Sequence, residues 1–215
     1  MEIIYLGHSS FKLKGKDKIV ITDPYDPSKV GLKFPKNEAD IVTVSHSHSD
    51  HGYLDLVSGV SKVISGPGEY EIGGVSIIGY SSFHDNEKGA ARGMNTIFLI
   101  EIDKVRVVHL GDLGHVLSQS LVSEIGVIDV ALIPVGGVYT IDPKEAVEVA
   151  SLLAPKVIIP MHYKVPGLSL SQADKMASVE DFLKLSQLKV ERVSKLVVKS
   201  NENAEEQTIY VLEKK

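Results

Sequence analysis

The chain has 215 residues, 43% hydrophobic and 24% charged, close to the ordinary globular mixture and long enough for one substantial core, which excludes a disordered or fibrous protein. Its 23 basic and 28 acidic side chains leave a formal net charge of −5, which argues against nucleic acid as a partner held by broad electrostatic attraction. Cysteine is absent, so disulfides, thiolate metal sites and cysteine nucleophiles are excluded, and any metal must be held by histidine and carboxylate.

The opening MEIIYLGHSS lacks a basic segment followed by a long apolar run, and no membrane-length apolar stretch follows it; a cytoplasmic location without a membrane span is expected. No Gly/Ser/Pro linker, repeat or low-complexity segment divides the chain, which predicts a single domain over residues 1–215.

In chain order, alternating apolar residues predict strands over Glu2 to Leu6, Ser10 to Lys14 and Lys18 to Thr22. Lys12, Lys14, Lys16 and Lys18 alternate near a hairpin tip without interleaved aromatics, the pattern of a solvated face. A Pro-containing loop from Pro24 to Asn37 precedes an apolar strand from Asp40 to Ser45 that runs directly into a histidine cluster. Val63 to Ser65, Glu69 to Ile72 and Val75 to Ile78 read as further strands, and Tyr80 to Arg92 as a loop that carries His84. Thr96 to Ile102 and Val105 to His109 make a hairpin, after which the chain turns at Gly111-Asp112 into a short helix. Ile128 to Val135 is a buried strand. The clearest helix follows, with Asp142 at its N-cap, Pro143 at N1 and Glu145 at N3, ending near Leu153. Lys156 to Pro160 is a strand that delivers His162, and the tail offers a helix over Val179 to Leu185 and two strands.

Ser45-His46-Ser47-His48-Ser49-Asp50-His51 places three imidazoles and a carboxylate within six consecutive positions. In an extended segment His46 and His48 share a face and can grip one cation. A bend at Ser49 lets Asp50 and His51 turn toward a second cation, at about 2.0–2.2 Å from zinc for nitrogen and oxygen donors. A complete pair of sites needs more ligands, and the sequence offers His84, Asp112 and His162, each in a loop and two of them just after strands.

The order His-x-His-x-Asp-His, distant His, distant Asp, distant His resembles the metallo-β-lactamase superfamily. LGHSSF, TDPYDP, SFHD, HLGDLGH, IPVGGVYTID and PMHYK bring it closest to the branch with ascorbate-phosphate lactonase-like proteins, and more distantly to the N-acyl-phosphatidylethanolamine phospholipase D group. These segments run from Leu6 to Lys164 and leave the tail without a motif. The resemblance implies an α/β (α+β) fold, the four-layer αββα metallo-β-lactamase sandwich. It implies that His46, His48 and His84 hold a first metal, that Asp50, His51 and His162 hold a second, and that Asp112 bridges them. It makes Asp23 the structural aspartate.

Two zinc ions are the expected cofactor, with manganese or iron as alternatives, since histidine and carboxylate suit several metals. A pair of ions ionises the water between them and polarises the bond under attack. The expected reaction is therefore hydrolysis of an ester, lactone or phosphoester by a metal-bridging hydroxide, with Asp50 as ligand, orienter and proton acceptor. The substrate is a small molecule, with anionic and phosphorylated compounds among the candidates. His8, in its GHSS turn, is read either as a substrate contact or as a structural histidine. Gly136-Gly137 brings backbone amides to an anionic oxygen or serves only as a turn. Lys164 meets a phosphate or carboxylate, or is merely solvated. His109 is expected to pack or support rather than ligate, and His115 to begin a helix. The rivals are a di-iron oxidoreductase of the same fold, whose relatives carry glutamate where His48 stands, and a non-catalytic metal-binding protein with a blocked cleft.

Overall fold

The computed structural model describes residues 1–200 and 206–215. The amino-terminal part runs β1 (Glu2–Gly7), β2 (Ser10–Lys14), β3 (Ile19–Thr22), α1 (Pro27–Val30), β4 (Asn37–Glu38), β5 (Ile41–Thr43), β6 (Val57–Ser58) and β7 (Lys62–Ile64). The middle adds β8 (Gly68–Ile72), β9 (Val75–Phe83), β10 (Met94–Ile102) and β11 (Val105–His109). The remainder is α2 (Gln119–Ile125), β12 (Val130–Pro134), α3 (Pro143–Leu153), β13 (Val157–Met161), α4 (Val179–Ser186), β14 (Lys189–Val193), β15 (Leu196–Val197) and β16 (Thr208–Leu212).

The long strands assemble into two mixed sheets, a six-stranded one in the order β15-β1-β2-β3-β5-β7 and an eight-stranded one in the order β14-β16-β13-β12-β11-β10-β9-β8. The two-residue alternation of a strand explains the layers. Ile3, Val20 and Ile41 of the smaller sheet meet Phe98, Ile100, Val107, Leu132 and Ile159 of the larger one in a dry inter-sheet core. Their neighbours Ile97, Val108, Ala131, Ile133 and Ile158 point the other way, under the helices. Each fully buried aliphatic side chain of this kind contributes roughly 1.5–3 kcal/mol.

Helix α3 is fixed at its start as its sequence dictates. Asp142 Oδ1 accepts the backbone N–H groups of Lys144 and Glu145 at 2.8 and 2.9 Å, and Glu145 Oε2 accepts that of Asp142 at 2.9 Å. Ala146, Val149, Ala150 and Leu153 form its buried stripe. The outer layer on the smaller sheet has little helix: α1 and the extended chain around it cover Ile21, Val42 and Val44.

Several expectations are corrected. The Pro24 to Asn37 loop contains α1, capped by Asp26 and closed by Gly31 in the left-handed region at φ 80°. Strand β9 does not stop at Ile78, because its pairing with β10 continues to Phe83↔Met94. No helix starts at Asp112; α2 begins seven residues later, where Ser118 accepts the N–H of Leu121. Among the described residues the tail supplies three strands rather than two, and β15 crosses to the smaller sheet beside β1. Around the first hairpin, Lys18 pairs with Asp40 at 2.8 Å, in keeping with a solvated lysine stripe. No helix among the described residues is long and apolar enough to cross a membrane.

Candidate metal centre

Strands β1, β3 and β5 run in one direction within the smaller sheet, and β9, β11 and β13 in one direction within the larger. Their carboxyl ends release His8, Asp23, the 46–51 segment, His84, Asp112 and His162 respectively. Three of these residues take left-handed backbone that other side chains avoid, His8 at φ 54°, Asp23 at φ 40° and His162 at φ 50°. Such strain persists where the surrounding fold over-determines it.

The structure brings all seven expected metal ligands together. Asp112 Oδ2 lies 3.3 Å from His51 Nε2, 3.3 Å from His162 Nε2, 3.4 Å from His84 Nε2 and 4.0 Å from His46 Nε2. Asp50 Oδ2 is 3.7 Å from His51 Nε2. One set of donors, His46, His48 and His84, lies within 4.8 Å of one another, and so does a second, His8, Asp50, His51 and His162. Donors held about 2.1 Å from a tetrahedral ion stand about 3.4 Å apart. The observed spacings match that geometry better than they match hydrogen bonds.

Unpartnered buried atoms point the same way. His46 Nε2, His51 Nε2, both ring nitrogens of His162 and Asp112 Oδ1 are shielded from solvent and make no hydrogen bond. Leaving such groups unsatisfied costs about 1–3 kcal/mol each, a cost that coordination removes. The donor set, imidazole and carboxylate in adjacent groups, therefore fits divalent metal.

The supporting residues fix these rings. Asp23 Oδ2 accepts from His51 Nδ1–H at 2.8 Å, which leaves His51 Nε2 facing Asp112. The other oxygen of Asp23 accepts the Ser45 N–H at 2.8 Å. His8 Nε2–H donates to Asp50 Oδ2 at 3.3 Å, and its ring lies 4.2 Å from that of His162 between centroids. His8 thus belongs to the second group of donors as well as to the turn in which it was expected. His109 packs as expected: its Nε2–H donates to the Ser9 carbonyl at 2.8 Å, and its Nδ1 accepts the Gly111 N–H at 3.2 Å.

Electrostatics separates the imidazoles. Burial, reinforced by the His51 charge, pushes His46 down to about 3, and burial beside His162 pushes His8 down to about 4. Burial also opposes a charge on His51, but Asp112 and Asp23 on either side overcome it and hold this imidazole well above its ordinary value. Burial raises the Asp112 carboxyl, yet His162 and His51 hold it well below the usual range. For Asp50 the same opposition is won by His8 and His51. The His51 imidazole is therefore held protonated between two carboxylates, Asp112 and Asp23.

Two positioning residues were not singled out in the sequence. Asn95 Oδ1 accepts the Asp112 N–H at 3.0 Å, while its amide donates to the Leu110 carbonyl at 2.9 Å. Asp85, read only as context for His84, accepts four backbone N–H groups, from Glu87, Gly89, Ala91 and Arg92, at 2.7–3.0 Å. Burial works against the charge on Asp85, but these bonds hold its carboxyl down at about 2. Asparagine and aspartate in such places look in sequence like ordinary turn residues.

The donors open into a cleft of about 480 Å³ lined by His48, Asp50, His84, Arg92, Tyr139 and Ser171 among others. Lys164 is placed elsewhere: it lines a separate cavity with Tyr5, Tyr163 and Arg192, and its Nζ donates to the Asp174 carbonyl at 2.7 Å. Gly136 does not line the cleft; a Cβ there would stand 2.1 Å from the His162 carbonyl oxygen, so its bare backbone lets the loop press against the His162 turn. Gly137 turns the chain at φ 63°, its N–H bonded to the Ile141 carbonyl at 3.2 Å. His115 starts no helix; its Nε2 accepts the Phe83 N–H at 3.3 Å behind His84.

A β-lactamase superfamily domain model matches residues 2–162. A UPF0173 metal-dependent hydrolase of Pyrococcus abyssi is 31% identical over 214 aligned residues, covering 86% of this chain and 92% of that protein. The solved structure of a candidate Zn-dependent hydrolase of the metallo-β-lactamase superfamily from Thermotoga maritima is 43% identical, with a TM-score of 0.80 over 100% of this chain and 99% of that one. Igni18, a metallo hydrolase from Ignicoccus hospitalis, shares the fold at 23% identity and a TM-score of 0.62, over 86% of this chain and 90% of its own. The chain belongs to the metallo-β-lactamase superfamily, and within it to the UPF0173 metal-dependent hydrolases. It is an enzyme of the metal-dependent hydrolase class.

Proposed function

We propose that this single-domain protein hydrolyses an ester, lactone or phosphoester of a small molecule with two metal ions, zinc in the first instance and manganese or iron as alternatives. The observation that carries this reading is the ring of imidazoles around Asp112 Oδ2, at 3.3–4.0 Å, with orphaned nitrogens facing inward. His46, His48 and His84 would hold one ion, Asp50, His51 and His162 the other, and Asp112 would serve both. When bound, such a pair activates a water and polarises the oxygen of the bond under attack.

The chain's own residues do the rest. Asp50 Oδ2 faces the cleft, held there by His8 Nε2–H, and as an ionised carboxylate it orients a water and accepts its proton. Asp23 holds His51 in the tautomer that presents Nε2. The open cleft favours catalysis over a purely structural metal site, and His48 favours hydrolysis over di-iron oxidation.

Elemental analysis of protein purified without added metal, followed by lactone, phosphodiester and phosphomonoester substrates before and after EDTA, tests this. Two bound ions and an activity that disappears with chelation and returns with zinc are expected. Full turnover in metal-free protein would refute it.

A further inference from the structure

Arg92 brings a positive charge into the cleft. The loop from His84 to Gly93 closes on itself through Asp85 and through the His84 N–H, which donates to the Gly93 carbonyl at 3.0 Å. Its end carries Arg92, whose backbone N–H is held by Asp85 Oδ2 at 2.7 Å. The Arg92 guanidinium lies over the Tyr139 ring, 5.4 Å from its centroid, and lines the same cleft as His48, Asp50, His84 and Asp112. Among the described residues it has no carboxylate partner.

The platform beneath it is built. Tyr139 Oη pairs with Ser171 Oγ at 2.9 Å and accepts the Gln172 N–H at 2.9 Å. Val138, the residue before it, sits at φ 62°, a costly conformation for a branched side chain, directly after Gly137 at φ 63°. An arginine stacked on an aromatic face keeps its fork of N–H donors free, and that fork matches a carboxylate or phosphate.

We propose that Arg92, supported on Tyr139, is the specificity-determining residue of this cleft and selects substrates that carry a carboxylate or phosphate group away from the bond to be cleaved. The proposal rests on the hydrolase reading above. It agrees with the charge of the loaded site, where only Asp50 and Asp112 among the cleft carboxylates would offset two divalent ions. The cleft of about 480 Å³ is in the range that takes a small metabolite.

Two measurements on the zinc-loaded full chain test it. In the first, 4-nitrophenyl acetate and mono-4-nitrophenyl succinate, a neutral and an anionic ester with the same leaving group, are compared in wild type, Arg92→Gln and Arg92→Lys. The preference for the anionic ester, as a ratio of kcat/KM, is expected to fall about tenfold or more in Arg92→Gln and less in Arg92→Lys. In the second, succinate and inorganic phosphate are titrated calorimetrically; the tighter of the two identifies the preferred group, and its Kd rises about tenfold in Arg92→Gln with bound zinc unchanged.

An anion affinity and an ester preference that are unchanged in Arg92→Gln would overturn the proposal, as would wild-type protein that binds neither anion. If zinc is bound but neither ester nor any other substrate is cleaved, the hydrolase reading fails, and the anion titration still decides the role of Arg92.

Discussion

Replacing Asp23 with asparagine probes the wiring behind the metal donors. Asp23 is fully buried; one oxygen accepts from the Ser45 backbone and the other from both Ser45 Oγ and His51 Nδ1. In Asp23→Asn the amide keeps one acceptor for the Ser45 N–H but turns an NH₂ toward His51. The imidazole then satisfies that group by making Nδ1 the acceptor, which moves its hydrogen to Nε2, the atom that faces Asp112 at 3.3 Å. A nitrogen that bears hydrogen cannot ligate. Loss of such an outer partner lowers metal affinity about 10–100-fold, or about 1.4–2.7 kcal/mol. Zinc competition against a chromogenic chelator should show one of two ions weakened by that factor and the other retained, with circular dichroism unchanged. Two ions held with wild-type affinity in a natively folded variant would refute the tautomer argument.

Zinc uptake should release a proton, since His51 is protonated in the metal-free cluster, so calorimetric heats will depend on the buffer and affinity will rise with pH. The sign for stability is opposite. Because the folded-state value of His51 is raised, its contribution to the EDTA-treated protein is full below about 6.5 and is lost as pH rises through that raised value, which a series of thermal melts will show. Gly136→Ala drives a Cβ toward the His162 carbonyl and should cost about 1–3 kcal/mol in chemical denaturation, with weaker zinc binding. Asp85→Asn should accelerate amide exchange at Glu87, Gly89, Ala91 and Arg92 and leave the inter-sheet core protected. In the parent protein the depressed Asp85 carboxyl keeps that loop closed above its unfolded value of 3.8 and releases it as pH falls toward about 2.

The 46–51 segment was legible because four donors in six positions have few structural uses, and Asp112 and His162 because each follows a strand, whereas His84 stood in a loop and was picked out by its order along the chain. The capping box of α3 was readable for a similar reason, as all its signals are local. What sequence left unsaid depends on long-range contact. Gly136 reads as half of a turn until the His162 carbonyl appears against it. Asn95 belongs to a strand whose alternation says nothing of the Asp112 N–H it accepts. Lys164 sits two positions from a donor, yet its amine is taken by the Asp174 carbonyl beside a different cavity. The extension of β9 to Phe83 was hidden because its last residues look polar, and only the partner strand β10 makes them regular.

The donors, with the Asp23 that orients His51, leave three strands of one sheet and three of the other, so their mutual distances are set by a slab of hydrocarbon. Phe98, Ile159 and Met161 act as shims between two plates, and Met161 adjoins His162 directly. Thinning or swelling that slab by a methyl group should change the spacing of the donor groups, without touching any atom a substrate can reach. Tuning of this enzyme toward a different metal can therefore begin in its oiliest layer.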